Sequence, residues 1–195
     1  MIKSRKGGYD GKGNAVLKEI TDESISETLT ILGIDAFKVM SGESSEKLNL
    51  YAEGWIDFTC EIAVIVVRSI TGETRAYPAV TAVQTNSICR VVLAPARNVS
   101  DTLKNRCEEI AMKAIDSLGR GATGVYGVEL FLVNNESGSV DILLNEVAPR
   151  PHNTGHYTQD ACSVSQFENH LRAICGLPLG DTNLIVGAAA SKSTH

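Results

Sequence analysis

The chain has 195 residues, 43% of them apolar and 21% charged, enough to bury a core and to predict a compact α/β protein of one domain or slightly more. A formal charge of −5 gives no electrostatic ground for nucleic acid or an anionic membrane as the main partner, so a small molecule is the expected ligand. The cysteines Cys60, Cys89, Cys107, Cys162 and Cys175 are odd in number and form no C-x-x-C pair. That predicts reduced thiols in a cytoplasmic protein, and the polar start after Met1 has no signal-peptide core.

In chain order, Lys6 to Asn14 sets four glycines among Lys, Tyr and Asp, and with Ala15 to Ile20 reads as a strand-loop-strand unit. Ile25, Leu29 and Leu32 then recur at helical spacing, with Thr21 or Asp22 as N-cap and Gly33 as the stop. From Leu50 to Pro95, β-branched runs at Cys60–Ser69, Arg75–Val80 and Ser87–Ala94 predict an antiparallel meander with turns at Thr71-Gly72 and Thr85-Asn86. Leu103, Cys107, Ile110, Ala114 and Leu118 form the stripe of a second helix, about Ser100 to Leu118. Strands Gly124–Val133 and Val140–Val147 flank a turn at 134–138 and form a hairpin. After a polar loop, Ala148 to Cys162, Ser163 with Gln166 reads as a capping box for a helix ending at Cys175. Gly187 to His195 has no pattern and is expected to be frayed or foreign to the domain.

Three groups of residues can carry chemistry. In Gly7-Gly8-Tyr9-Asp10-Gly11-Lys12-Gly13, glycines allow backbone N–H groups to approach an anion while Lys3, Lys6 and Lys12 supply charge. The loop is neither a Walker A nor a G-x-G-x-x-G sequence, and an exposed flexible turn is the alternative. Glu129 and Glu146 lie in apolar strands on either side of one hairpin. Antiparallel pairing would bring two like charges together, and a hard divalent cation such as Mg²⁺ is their natural neutraliser; the alternative puts one Glu on a solvent face beside a lysine. Finally, Asn145 to His156 concentrates Arg, His and Asn in a way suited to an anionic, hydrogen-bonding substrate. His152 and His156 are four apart, but Asn153 stands where H-E-x-x-H needs Glu, which disfavours zinc. Trp55, in Glu53-Gly54-Trp55-Ile56, is either an aromatic wall for a base or part of the core.

Lys3 with Gly7 to Gly13, Glu53 to Ile56, Tyr77-Pro78, Ala94-Pro95-Ala96, Val128 to Phe131, Asn145 to His156 and Ser165-Gln166-Phe167-Glu168 together resemble the 5-(carboxyamino)imidazole ribonucleotide synthase family, over Lys3 to about Leu179. The resemblance implies an α+β ATP-grasp fold: part of the small subdomain with the glycine loop (1–50), the large mixed antiparallel-sheet subdomain with the metal carboxylates (51–180) and a tail (181–195), without the N-terminal Rossmann-like domain. It implies that ATP lies between the subdomains, with Lys3 on its phosphates, Gly8, Tyr9, Asp10, Gly11, Lys12, Gly13 and Asn14 folded over them, and Glu53, Gly54, Trp55, Ile56 and Glu61 on adenine and ribose. Glu129 and Glu146 would hold Mg²⁺ with help from Asn145. Tyr9, Asp10, Lys12, Arg150 and His152 match positions used toward the aminoimidazole ribonucleotide, and Lys12, Arg150 and His152 are the catalytic candidates.

The reaction implied is phosphorylation of bicarbonate by ATP, then carboxylation of the ribonucleotide's exocyclic amine, in purine biosynthesis. Joining two anions requires neutralising charge and exclusion of water, with no covalent enzyme nucleophile. Another ATP-grasp carboxylate-amine ligase, or a non-catalytic ATP-binding or structural piece, are the alternatives. After Tyr77-Pro78, Thr81, Ala82 and Gln84 replace the family's acidic or His residue and following His. Gln84 to Cys89 is similar to fungal members, in which a mutase domain commonly follows. The family's preceding domain and its basic residues for the substrate phosphate fall outside this chain, so the expected partners are the missing domains of the same enzyme. A complete substrate site is not expected from these residues alone, and a homodimer stays open.

Overall fold

The computed structural model describes residues 1–8, 12–42, 48–85, 88–119 and 121–192. Tyr9, Asp10, Gly11 and the turn at Asn86 therefore lie outside the described residues. The chain divides into two compact units, Met1–Ile56 with Asn86–Ile88, and Asp57–Thr85 with Cys89–His195.

In the first unit, strands β1 (Ile2–Ser4), β2 (Asn14–Ala15) and β3 (Leu50–Ala52) form an antiparallel sheet in the order β2-β1-β3. The expected strand Ala15–Ile20 stops at Ala15. The glycine loop is the β1–β2 connection, closed by Ser4 N–H donating to Gly13 O at 2.7 Å. Helix α1 (Asp22–Ile31) starts where Thr21 accepts from Ser24 N–H, and helix α2 (Ala36–Met40) starts at the Asp35 cap.

The second unit is a seven-stranded sheet with helices on both faces. Strands β4 (Cys60–Arg68), β5 (Thr74–Ala76), β6 (Val80–Thr85), β7 (Ile88–Ala94), β8 (Gly124–Asn134), β9 (Val140–Ala148) and β10 (Ala189–Lys192) are arranged β10-β7-β6-β4-β8-β9, with β5 also on β4. Alternation along β4 divides the core between the two faces. Ile62, Val64 and Val66 pack with Cys107, Ala111 and Ile115 of helix α3 (Asp101–Asp116). Ala63, Ile65 and Val67 pack with Ala161 of helix α4 (Thr158–Ala161) and Ala173 of helix α5 (Gln166–Ile174). Among the described residues no helix is long and apolar enough to cross a membrane.

Three sequence expectations need correction. The strand expected over Arg75–Val80 is two strands. Pro78 has no N–H for the ladder, and Ala79 N–H donates to the Glu108 carboxylate at 3.0 Å instead, so pairing breaks between β5 and β6. The cap of the last helix is Ser165, which accepts from Glu168 N–H; Ser163 instead donates its hydroxyl to Asp181 and is no cap. Nor is the tail frayed over Ala189–Lys192, because these residues form an edge strand on β7, in the register Ala189↔Ala94 to Lys192↔Val91.

Tyr77 fastens the interruption between β5 and β6 to the C-terminal helix. Its fully buried hydroxyl donates to Val164 O (2.8 Å) and accepts from Asn169 Nδ2 (2.7 Å). Tyr77→Phe is expected to lower stability by about 1–3 kcal/mol, since the Val164 carbonyl loses its donor while the ring still fills its space. Urea unfolding of the two proteins at equal m-value measures it.

Candidate functional site

The two carboxylates singled out from the sequence are direct cross-strand partners, Glu129 of β8 and Glu146 of β9. Directly opposed residues of an antiparallel pair share a face. Glu129 also opposes Ala63 on β4, so both carboxylates lie on the face that carries α4 and α5, and Glu61, two residues before Ala63, lies there too. The two carboxyls share this face but not its burial: Glu129 is largely buried, whereas Glu146 is exposed, as the solvent-face alternative had one of them.

A β-bulge sits at this point. The ladder passes from Glu129↔Glu146 to Leu130↔Leu144, which leaves Asn145 as the extra residue. The bulge explains the apolar pattern of β9. Val147 and Ile142 are five apart, an odd spacing that would put them on opposite faces of a regular strand, yet both pack on the α3 side. One extra residue at Asn145 restores their parity and sets Asn145 beside Glu146 opposite Glu129.

Burial pushes the Glu129 carboxyl up to about 7, with the charges of Glu146 and Glu61 adding to the effect and Arg150 opposing it. Glu61 is also raised by burial, partly offset by a hydrogen bond from Gln84. Gln84, which stands where the resembling family has His, therefore borders this acidic face; its own Oε1 is buried without a hydrogen-bond partner. Among the described residues no group of three or more His, Cys, Asp or Glu is arranged to hold a metal ion. The donor set is a carboxylate pair with a neighbouring amide, which fits a cation that takes few protein ligands, as Mg²⁺ does.

The loop after β9 returns over the same face. The His152 ring lies against Gly127, where an added Cβ would come within 2.5 Å of His152 Cγ. Its Nδ1 shares a 2.8 Å hydrogen bond with the Thr154 hydroxyl, and its Nε2 is 3.9 Å from Glu129 Oε1. The His152 backbone is clamped from both sides by one amide: His152 N–H donates to Gln166 Oε1 (2.9 Å) and Gln166 Nε2 donates to His152 O (2.7 Å). Gln166 is 0% exposed. Arg150 is exposed and donates to Pro151 O at 3.1 Å. His156 stacks on Phe167 and is not brought to Glu129 as a second ligand would be. Gly127, Thr154 and Gln166 had not been assigned to the site. A glycine inside a strand pattern was the available signal for Gly127, since such positions mark close approach of another group.

In the first unit, Lys3 pairs across the sheet with Asn14 and makes a 2.6 Å ion pair with Glu53. Gly13 has φ +79°, and a Cβ there would meet Gly8 Cα at 2.9 Å, so the loop closes backbone on backbone as only glycine permits. Lys12 lies in the same loop. Glu53, Gly54, Trp55 and Ile56 follow β3 as irregular chain, with Glu53 N–H donating to Met1 O. Trp55 is 63% exposed and is no part of the core.

A family model for the ATP-grasp domain matches residues 1–167. The chain belongs to the ATP-grasp family. It is 46% identical over 179 residues to phosphoribosylaminoimidazole carboxylase of Ogataea methanolica, covering 92% of this chain and 29% of the relative. Among solved structures it is similar to carboxyaminoimidazole ribonucleotide synthase of Aspergillus clavatus complexed with ATP, with TM-score 0.79 and 40% identity over 97% of this chain and 44% of that one. A second Aspergillus clavatus structure, of N5-carboxyaminoimidazole synthase with ADP and 5-aminoimidazole ribonucleotide, matches with TM-score 0.65 and 38% identity, covering 87% and 48%. The ATP-grasp chain thus spans less than half the length of each of these proteins.

Two outcomes follow from this geometry. A carboxyl raised to about 7 binds a proton in the folded protein that the unfolded chain releases near 4.5, so stability falls as pH rises through that window. In metal-free buffer with chelator, Glu129→Gln is expected to be more stable than the parent at pH 8, by up to about 3 kcal/mol, and nearly equal to it at pH 4.5, as read from urea midpoints. Gln166→Leu is expected to cost about 2–4 kcal/mol, because it strands the N–H and C=O of His152 in a buried setting; the His152 ring resonances should broaden or shift in the same variant.

Proposed function

We propose that the chain is the ATP-grasp part of a 5-(carboxyamino)imidazole ribonucleotide synthase, an ATP- and Mg²⁺-dependent ligase of purine biosynthesis. The observation that carries this reading is the facing Glu129–Glu146 pair at a bulge, with His152 seated over Gly127 beside it. The relatives' names and the bound ATP, ADP and 5-aminoimidazole ribonucleotide in the Aspergillus clavatus structures support the same assignment.

Each group then has a role. Glu129 and Glu146, with Asn145, hold Mg²⁺, which would offset the negative charge of the triphosphate when bound. Lys3, Gly8, Tyr9, Asp10, Gly11, Lys12, Gly13 and Asn14 take the phosphates through backbone N–H groups and lysine charge. Glu53, Gly54, Trp55, Ile56 and Glu61 serve adenine and ribose. The parallel stack of Phe58 on Phe131, centroids 4.3 Å apart, adds aromatic surface beside Glu61, which opposes Phe131 on the next strand. Arg150 and His152, with Tyr9, Asp10 and Lys12, bind the aminoimidazole ribonucleotide.

Bicarbonate oxygen attacks the γ-phosphorus of ATP, releasing ADP and leaving carboxyphosphate. The exocyclic amine then attacks the carboxyl carbon, expelling phosphate and losing a proton. Arg150 supplies fixed positive charge to these anions, and the clamp from Gln166 and Thr154 holds His152 Nε2 at one position. All five cysteines are unpaired thiols, which supports a reducing, cytoplasmic setting. The first unit, which includes β3 and so extends past residue 50, is assigned as part of the small ATP-grasp subdomain and the second as the large one, and the remaining domains of the same enzyme complete the substrate site.

The test is phosphate release from Mg-ATP with bicarbonate and aminoimidazole ribonucleotide, run on the chain alone and joined to the rest of its enzyme. Release dependent on all three, lost by at least a hundredfold in Glu146→Gln, is the expected result. Release with a different amine would assign another ligase of the family, and Mg-ATP binding without turnover in the joined protein would assign a non-catalytic ATP-binding unit.

A further inference from the structure

The face of the second unit opposite the carboxylates carries an open cleft of about 750 Å³, within the range that holds a small organic molecule. Its walls come from one side of the sheet. Cys60 of β4, Leu132 of β8 and Val140 of β9 belong to the cluster that packs on α3, and Thr81 of β6 shares their side because it opposes Ile62. Leu93 of β7 joins them, since its neighbours Val92 and Ala94 point into the other core. The loop at 97–100 and Leu103 in the first turn of α3 close the cleft from the helix side.

That loop is tied down along its backbone. Ala96 N–H donates to Ala79 O at 2.8 Å and Arg97 N–H donates to the Thr81 hydroxyl at 3.0 Å. The Arg97 side chain takes no part in this anchoring: among the described residues its guanidinium has neither an ion pair nor a hydrogen bond. Asp101, the nearest acid along the chain, is paired with Lys104 at 2.8 Å. Among the described residues no carboxylate lines the cleft, and Arg97 is the lining residue that carries charge.

The walls define the chemistry of a ligand. Cys60, Leu93, Val99, Leu103, Leu132 and Val140 give an apolar floor, and burial pushes the Cys60 thiol up, which keeps it uncharged near neutral pH. Thr81, Asn98, Ser100 and Asn134 set hydroxyls and amides around the rim. One guanidinium fork matches the two oxygens of one carboxylate and balances its single charge, whereas a phosphate dianion would keep charge unbalanced. A space of this size is far larger than a carboxylate needs, so the remainder suits an attached apolar body.

We propose that this cleft binds a small amphipathic organic acid, with its carboxylate on Arg97 and its apolar body over Leu103, Leu132 and Val140. The site goes beyond the nucleotide assignment, because the sheet separates it from Glu61, Glu129 and Glu146, which take the opposite face.

The test is a titration of the isotope-labelled whole chain with 2-naphthoate, followed by amide NMR shifts, with 2-naphthamide and acetate as comparison ligands. Saturable binding of 2-naphthoate is expected, with shifts centred on Val99, Leu103, Leu132 and Asn134. Affinity is expected to fall about tenfold or more for 2-naphthamide and for Arg97→Gln, as loss of a charge-assisted pair requires, and acetate is expected not to saturate. Asn134→Trp, which fills the cleft from an exposed strand end, is expected to abolish binding. Both substituted positions are exposed, so urea midpoints close to the parent are expected and a folding defect would be seen separately. Absence of saturable 2-naphthoate binding, equal affinity in Arg97→Gln or for the uncharged amide, or shifts centred on Glu61 and Glu129 instead, overturns the proposal.

Discussion

Two carboxylates facing each other from a buried strand and an exposed edge strand, Glu129 on β8 and Glu146 on β9, set the terms for the residues around them. Glu129 and Glu146 repel each other, and the buried strand β8 holds Glu129 in place while Glu146 stands exposed on the edge strand. The cost is held in place by the opposite face, where Val128, Leu130, Val147 and Ile142 pack toward α3. The bulge at Asn145 is the device that reconciles the two demands. It allows Val147 and Ile142 to reach one core while Glu146 stays opposite Glu129.

The face that bears the acids is divided along its length. At one end Ile65, Val67 and Val125 are covered by Ala161, Ala173 and their neighbours; at the other Glu61, Glu129 and Glu146 take the same positions in the pleat. The loop carrying Arg150 and His152 runs at the border between these halves, and it is held there by hydrogen bonds more than by apolar contact. Gln166 grips the His152 backbone, Thr158 donates to Gly155 O at 2.6 Å and accepts from Gln166 N–H at 3.0 Å, and His170 Nδ1 accepts from Val125 N–H. Such a network has few alternative arrangements, since each buried group that slips loses its partner outright. The apolar half thus supplies the rigidity with which the polar half is aimed.

Much of this was legible in the residues. A β-branched run identifies β4, the two runs flanking the turn at 134–138 identify β8 and β9, helical spacing identifies α3, and the setting of Glu129 and Glu146 on either side of one hairpin identifies the carboxylate pair. The failures have physical causes. Pro78 split a β-rich run because a strand tolerates the residue type but not the missing N–H. Two serines two residues apart, Ser163 and Ser165, were equivalent as caps by composition, and a side-chain contact with Asp181, distant in sequence, separates them. The tail of Ala and Ser has no pattern of its own because an edge strand such as β10 needs only an available backbone, here that of β7. Gln166 looked like the far half of a capping box; its amide serves His152, a partner that no local pattern reveals.

Where local rules are broken, the violations fall together. A charged residue in the middle of a buried strand, a glycine two positions before it in the same strand, and an extra residue in the partner strand each weaken a sheet. In this chain all three occur within one or two rungs of a single ladder, at Glu129, Gly127 and Asn145. Nearby, β4 from Ile62 to Val67 has no such irregularity and is buried throughout. A sheet selected for stability alone has no reason to gather its defects at one place. Their coincidence, with His152 seated in the gap left by Gly127, is what a site requires: charge that cannot be neutralised from within, and room for a group to lie directly on the strand.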